Sequence, residues 1–539
     1  VKLRRSARPL PLLAAAWLVA AACSEADEPR DEPGAAGDSG GEGGDGGEAL
    51  EAGRPARGGA PAGAAGDEAG GAGAGAAQGG TSAAAGRGGH SGEAGEAAGG
   101  ADAGGPGSAT GGSARGGDGG TSGSGRGGHS SAGAANGAAL RFDVDVIRAS
   151  DVEPTAPGTV GIVTFSTNVA NVVEARIDFG LEQSYGTTVP VDLTSAGYRT
   201  LLLGMKPSRT YHFKITVSNG TREYESVDYR LETGPAPVIV PYAGLTVLDA
   251  ARRERGFILL SYRERDSREV PFIIDADGEI VWWFFSSSPG VGRAVMSEDG
   301  KNMWLAPPGN AGAPLTRVSM DTLDSESYSA AIGSHDITAV SGDKMAFIEY
   351  GESDCDSVWE IDPSGVTVER FESQGVIDSK TCHGNAIRYS RTEDLYTYSD
   401  RYNGILALDR SGAVEWQLSD LVPGGNDTWG GAQHGHHLLD ASILIFANEG
   451  MARGVSAAIE YDFQGNELRR FQSGLYTAHM GDAQRLPGGN TLLTFSNASI
   501  VQEFDTDGNV VLEVNGGGAP LGYSMWRASL YGPPPDSTL

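Results

Sequence analysis

The chain has 539 residues, 83 of them glycine, with 3 cysteines and 40 basic against 70 acidic side chains, for a formal net charge of -30. So acidic a chain repels phosphate backbones, which excludes nucleic acid as an expected partner. Glycine is concentrated before residue 140, so the 39% hydrophobic content averages a stretch unable to bury a core with one of roughly 400 residues, long enough for two cores.

Residues 1–23 read as a targeting segment. Lys2, Arg4, Arg5 and Arg8 precede an apolar run from Leu10 to Ala22, which is too short to span a bilayer permanently. The run ends Ala20-Ala21-Ala22-Cys23, which resembles the lipobox of bacterial lipoproteins, with Ala20 where leucine is usual. That resemblance implies lipidation of Cys23 and, with Ser24 following, an outer-membrane lipoprotein of the bacterial cell envelope, facing the periplasm or the cell surface. An ordinary secretory signal cut near Ala22 is the alternative. Residues 24–139 are Gly, Ala, Ser and acidic residues, a composition that cannot offset chain entropy, and they read as a disordered tether. Its root-mean-square span is on the order of 60 Å. His90 and His129, in the near-repeat Gly-Arg-Gly-Gly-His-Ser, read as repeat drift rather than as ligands.

Residues 140–236 alternate apolar and polar side chains over Phe142–Val146, Val160–Phe165, Val173–Phe179 and Tyr211–Val217, the period of half-buried strands. They predict a small antiparallel β-sandwich. Leu203, Pro207 and Tyr211 resemble the corner of fibronectin type III domains, where a tyrosine hydroxyl ties back to the chain upstream, although the usual core tryptophan is absent. His212 in the following strand reads as structural.

Residues 237–539 carry an internal repeat in which an apolar strand, an aspartate, a short turn and a second apolar strand recur six times. The aspartates are Asp275, Asp321, Asp362, Asp409, Asp462 and Asp505, spaced 46, 41, 47, 53 and 43 residues apart. Such a period with several short strands per unit predicts a β-propeller of six blades. Gly278, Gly365, Gly412, Gly465 and Gly508 mark tight hairpins, so Asp-x-x-Gly reads as a turn device rather than a calcium site. The predicted fold class is all-β throughout: tether, sandwich, propeller.

His335, His383, His434 and His479 recur 48, 51 and 45 residues apart, each shortly before the first apolar strand of its unit, and Arg293 holds the matching place one unit earlier. Residues in equivalent positions of a propeller converge on its axis, so these groups are expected to share a cavity. Imidazoles and a guanidinium suit an anion with several oxygens, such as a sulfate or phosphate ester. A histidine nitrogen can also accept a group and pass it on.

The segment His383-Gly-Asn385-Ala-Ile, with Tyr398-Ser-Asp-Arg401 and Asn403-Gly-Ile through Trp416, resembles the central motif of bacterial arylsulfate sulfotransferases. Further pieces in the family's order are His335-Asp336-Ile337, Gln433-His434, Phe446-Ala-Asn448-Glu-Gly450 and Gln484 through Asn490-Thr-Leu. The resemblance implies a six-bladed propeller that moves a sulfuryl group from a phenolic sulfate ester to a phenolic acceptor through a sulfohistidine, without a nucleotide donor, cofactor or metal. Carried over, His434 is the nucleophile, and His335, His383, Arg401 and Asn385 hold the sulfuryl oxygens; Arg293 and His479, candidates for substrate binding, stand beside them by phase alone, and His479 matches no catalytic position of the family. His335 or His383, protonated, would serve as acid to the departing phenolate. His436 and His437 follow His434 as an unusual cluster and leave the nucleophile open among the three; the aspartate usual before Asn448 is alanine.

Cys355 and Cys382 are the remaining thiols, and an oxidising envelope favours a disulfide between them. Two other readings compete: a noncatalytic surface propeller that binds a ligand or protein, and a histidine-ligated metal site. A homodimer through the sandwich is left open.

Overall fold

A computed structural model describes residues 139–239, 241–263, 270–285, 290–309, 312–349, 355–373, 382–401, 404–418, 433–448 and 454–533. By internal contacts the chain divides into two units, residues 1–113 and 114–539, and every described residue belongs to the second. The signal segment, Cys23 and the tether up to residue 138 lie outside the described residues.

Alternation builds the sandwich. Phe142–Arg148, Gly161–Thr167 and Thr200–Leu202 form one antiparallel sheet; Thr187–Pro190, Glu174–Gly180 and Thr210–Ser218, with Glu223–Glu225 and Tyr229–Glu232 both on the last of these, form the other. Along Thr210–Ser218, Tyr211, Phe213 and Ile215 are buried while Thr210, His212 and Lys214 are not. The inward set meets Val163, Phe165, Ile177 and Phe179 in one apolar core. The Tyr211 hydroxyl accepts the Lys206 N–H at 2.8 Å, closing the turn before its strand. His212 Nδ1 lies 2.7 Å from Asp228, a local structural partner.

The sandwich is packed onto the next domain. Val160, Ile162, Leu201 and Leu203 share a core with Ile273, Val281, Trp282 and Met296. At the seam Lys206 Nζ meets Asp275, Asp277 and Glu279 at 2.8, 2.9 and 2.9 Å. Burial alone would lower the Lys206 ammonium, but the three carboxylates outweigh it and hold its pKa above the ordinary lysine value.

From Phe257 onward the described strands group into four-stranded antiparallel units in sequence order. Gly384–Ser390, Leu395–Asp400, Gly404–Asp409 and Val414–Gln417 make one; Gln433–Leu438, Ser442–Ala447, Ala457–Asp462 and Glu467–Phe471 the next. Asp482–Arg485, Thr491–Phe495, Ile500–Phe504 and Val510–Asn515 follow, with Gly244–Val247 added to the outer edge. A seven-stranded sheet from Arg293 to Glu372 is two such units fused, because the 16-residue strand Ser325–Val340 ends one and opens the other. The strand Met525–Arg527 returns to pair with Phe257–Leu260, so the chain's end supplies the first strand of the first unit and closes the propeller.

Five turns share one design. In each the aspartate carboxylate accepts the N–H two and four residues on, as Asp409 does from Ser411 at 2.8 Å and Ala413 at 3.0 Å, and the glycine supplies a positive φ, 86° at Gly412. In each of these turns one carboxylate oxygen is spent on backbone. One expectation changes: His335 and His434 lie in the opening strands of their units, His383 and His479 just before theirs, Gly384–Ser390 and Asp482–Arg485, and the apolar strands expected to come first are second. The opening strands escaped the periodicity because they carry polar residues on both faces.

Candidate functional site

Three consecutive opening strands break register where the histidines sit. The ladders shift between Ser334 and Ile337, between Gly384 and Ala386, and between Gln433 and His436. Such bulges re-aim side chains that simple alternation would send elsewhere. His335 occupies its bulge with φ 53°, an uncommon conformation for a non-glycine residue. A Cβ at Gly435 would stand 1.8 Å from an Asp482 oxygen, and one at Gly384 2.5 Å from the Tyr398 hydroxyl, so the neighbouring strands approach only past glycine. The result brings three imidazoles together. The His335 and His383 rings meet edge-on with centroids 4.8 Å apart, and His335 and His434 are 6.5 Å apart.

Each ring is held from behind. His335 Nδ1 is 2.7 Å from Ser334 Oγ, whose hydroxyl also donates to the Gly309 carbonyl at 3.0 Å. His434 Nδ1 is 2.7 Å from Asn448 Oδ1. The His383 N–H donates to Asp400 at 2.8 Å, its carbonyl accepts the Arg401 N–H at 2.7 Å, and Nδ1 stands 3.8 Å from Asp356. Burial lowers the pKa of all three, reinforced by the positive charge of Arg401 and, at His335 and His434, by neighbouring rings: His335 well below the ordinary value, His383 below it, His434 down to about 3. The imidazoles are therefore neutral at pH 7, unlike the protonated acid expected of His335 or His383, because the site adds cationic neighbours to desolvation. Asp356 is pushed up to about 6, by burial first and then by Asp400, while the Gly384 N–H opposes the rise.

Beside the rings lies a buried ion network. Asp336 accepts from Arg293 and Arg388, and Asp482 from the same two arginines, joining four opening strands in a closed cycle. The backbone N–H groups of Ile337, Ile387 and Ala483 complete the carboxylates' bonding. Two cations and two anions balance, which is how charges this deep are tolerated.

The expected site residues thus divide. His335, His383 and His434 converge; Arg401 lies at the end of the adjacent strand, close enough to depress all three. Asn385 is buried and donates to the Gln433 carbonyl at 2.6 Å, tying the His383 strand to the His434 strand. Arg293, expected at the substrate, is instead engaged in the ion network and lies 4.7 Å over the Tyr523 ring. His436 and His437 turn away, because the register shift between Gln433 and His436 parts them from His434 and alternation then sends them toward opposite neighbouring units. His436 Nε2 meets Thr397 Oγ1 at 2.8 Å, and His437 Nδ1 accepts the Arg485 N–H at 2.8 Å. His479 is exposed, its N–H bonded to Asn497 at 3.0 Å, but near enough to His434 to oppose its protonation. Cys355 and Cys382 form a disulfide, joining the residues that precede Asp356 and His383. Among the described residues no cluster of three or more His, Cys, Asp or Glu side chains is placed to hold a metal ion, and no helix is long and apolar enough to cross a membrane.

Sequence reasoning missed Arg388, Asp482 and Asp356, and gave Asn448 no role. One signal was present: Gly481-Asp482-Ala483 repeats the pattern of His335-Asp336-Ile337, a positive-φ residue followed by an aspartate bonding the next N–H.

Among curated proteins none matches the chain significantly. Solved structures give loose likenesses on which nothing here rests. TolB from Acinetobacter baumannii is 12% identical with a TM-score of 0.38, over 60% of this chain and 80% of its own. Virginiamycin B lyase from Staphylococcus aureus is 15% identical with a TM-score of 0.33, over 50% and 87%. The arylsulfotransferase (ASST) family model matches residues 358–517, the outer strands of one unit and the three units that follow. That stretch, which supplies His383, Asn385, Arg401, His434 and Asn448, is similar to the arylsulfotransferase family.

Proposed function

We propose that the protein is a nucleotide-independent aryl sulfotransferase that carries a sulfuryl group from a phenolic sulfate ester to a phenolic acceptor through sulfated His434. The observation that carries the reading is the convergence of three neutral imidazoles, with rings 4.8 and 6.5 Å apart, two of which, His383 and His434, lie in the stretch similar to the arylsulfotransferase family. A ring nitrogen of His434, with its lone pair free of a proton at neutral pH, attacks sulfur. The S–O bond to the aryl group breaks and its electron pair leaves on the phenolate oxygen. His335, His383 and Arg401 face the sulfuryl oxygens, where Arg401 meets developing negative charge with a fixed fork of donors.

The donor is an anion, so seating it among the rings opposes both burial and the nearby cations. Its arrival raises the pKa of His335 and His383 and draws in a proton for the leaving phenolate. In the second half the acceptor phenol gives its proton back to one of these imidazoles and attacks sulfur, and the N–S bond breaks. Asn385, by bridging the His383 and His434 strands, keeps the two halves of the site in register. The six units would close as a six-bladed ring, with the fibronectin type III-like sandwich docked on its side. Cys23 and the tether would place the enzyme on the envelope membrane by a lipid anchor.

The test is nitrophenol release from 4-nitrophenyl sulfate by the full chain, with and without an added phenol, beside His434→Ala. Acceptor-dependent turnover that vanishes in the variant is the expected result. A well-folded protein inert toward several donors would instead indicate a ligand-binding propeller, and activity surviving in the variant would move the nucleophile to another histidine.

A further inference from the structure

Asn448 is buried, 3% exposed, and its side-chain contacts fix which way the amide points. Its amide nitrogen donates to the Thr477 carbonyl at 3.0 Å and to the Met480 carbonyl at 2.7 Å. Both partners are pure acceptors, so the amide cannot be flipped without setting its oxygen against two carbonyl oxygens. The group facing His434 Nδ1 at 2.7 Å is therefore an acceptor, Oδ1, and the nitrogen opposite it must carry a proton.

We propose that Asn448 is a positioning residue that locks neutral His434 in the Nδ1–H tautomer and thereby makes Nε2 the nitrogen that takes the sulfuryl group. With His434 held down at about pKa 3 by burial, the ring carries a single proton at neutral pH, and that proton is committed to Asn448. Nε2 is left with its lone pair and no hydrogen. The assignment rests on the sulfuryl-transfer reading for its chemistry and on hydrogen-bond geometry for the tautomer.

The neutral partner has a second consequence. When the Nε2 lone pair forms the N–S bond and the aryl oxygen departs with the S–O electron pair, the ring becomes an N-sulfated imidazolium that still holds its Nδ1 proton. An amide oxygen accepts that hydrogen bond but is too weak a base to take the proton. The ring stays cationic and remains a good leaving group when the acceptor oxygen attacks sulfur and the N–S pair returns to Nε2. A carboxylate in the same place would draw the proton and stabilise the intermediate.

The test combines nuclear magnetic resonance with kinetics on the full chain. In histidine-¹⁵N-labelled protein at pH 7, with His434 signals identified by comparison with His434→Gln, long-range proton–nitrogen spectra are expected to show Nδ1 protonated and Nε2 bare. Asn448→Ala should mix the tautomers and lower kcat by roughly 10²-fold or more, given that a wrong tautomer elsewhere costs about 10⁴. Donor KM should stay within about twofold, since the rings that hold the donor are untouched. A wild-type spectrum with the proton on Nε2 overturns the assignment without any variant having to fold. So does a folded Asn448→Ala protein that keeps wild-type kcat. Absence of wild-type turnover would count against sulfuryl transfer, while the spectrum would still decide whether Asn448 holds the tautomer.

Discussion

Replacing Arg388 by methionine removes one of two cations from the buried cycle and leaves one carboxylate charge uncompensated. The side chains of Arg388, Asp336 and Asp482 are 12%, 0% and 5% exposed, so water cannot fully replace the lost partner. Breaking a buried pair in this way costs roughly 3–5 kcal/mol. The lower end applies here, because Asp336 keeps Arg293 and two backbone N–H groups, and Asp482 keeps Arg293 and one. Sandwich and first propeller units share one core, so they are expected to unfold together. With an unfolding entropy of about 2.1 cal/mol/K per residue over roughly 400 residues, 3 kcal/mol corresponds to a fall in Tm of about 3–4 °C. Calorimetry of the full chain measures it. Adding Asp482→Asn removes the surplus charge and should recover about half or more of the loss, a coupling that a double-mutant cycle isolates. A single variant as stable as the parent, or a double variant whose losses simply add, would refute the balanced-cycle argument.

Two further predictions follow from burial and from backbone approach. His434 is neutral when folded down to about pH 3 but titrates near 6.5 when unfolded, so below 6.5 the unfolded chain binds more protons and stability falls on acidification. His434→Gln removes this linkage and at pH 4.5 should lose roughly 2–3 kcal/mol less than the parent, relative to pH 7; denaturation curves that fall in parallel would contradict the lowered pKa. Gly435→Ala drives a methyl group to 1.8 Å from the Asp482 carboxylate. The variant should lose about 1–3 kcal/mol and most sulfuryl transfer, by displacing His434; wild-type melting and turnover together would show that the strand can yield.

Much of the architecture is legible in the chain itself. Alternation over Tyr211–Val217 specifies a half-buried strand, because a period of two leaves one face for the core. The Asp-x-x-Gly turns declare the hairpins and their recurrence declares the repeat, since a carboxylate that bonds its own backbone and a glycine with positive φ act locally. The phase of His335, His383 and His434 likewise survives folding, because equivalent places in successive units reach the same axis.

Only the tertiary structure separates His434 from His436 and His437, three histidines within four residues. A single register slip turns the first toward the other rings and the other two toward Thr397 and Arg485. It alone moves Arg293 into a cycle with Asp336, Arg388 and Asp482, partners that are far apart in sequence. And it alone gives Asn448 a direction, because two carbonyls from a segment some thirty residues further on fix which end of the amide meets the imidazole. Periodicity carries information along one strand, whereas tautomer, charge balance and bulge geometry depend on which strands become neighbours.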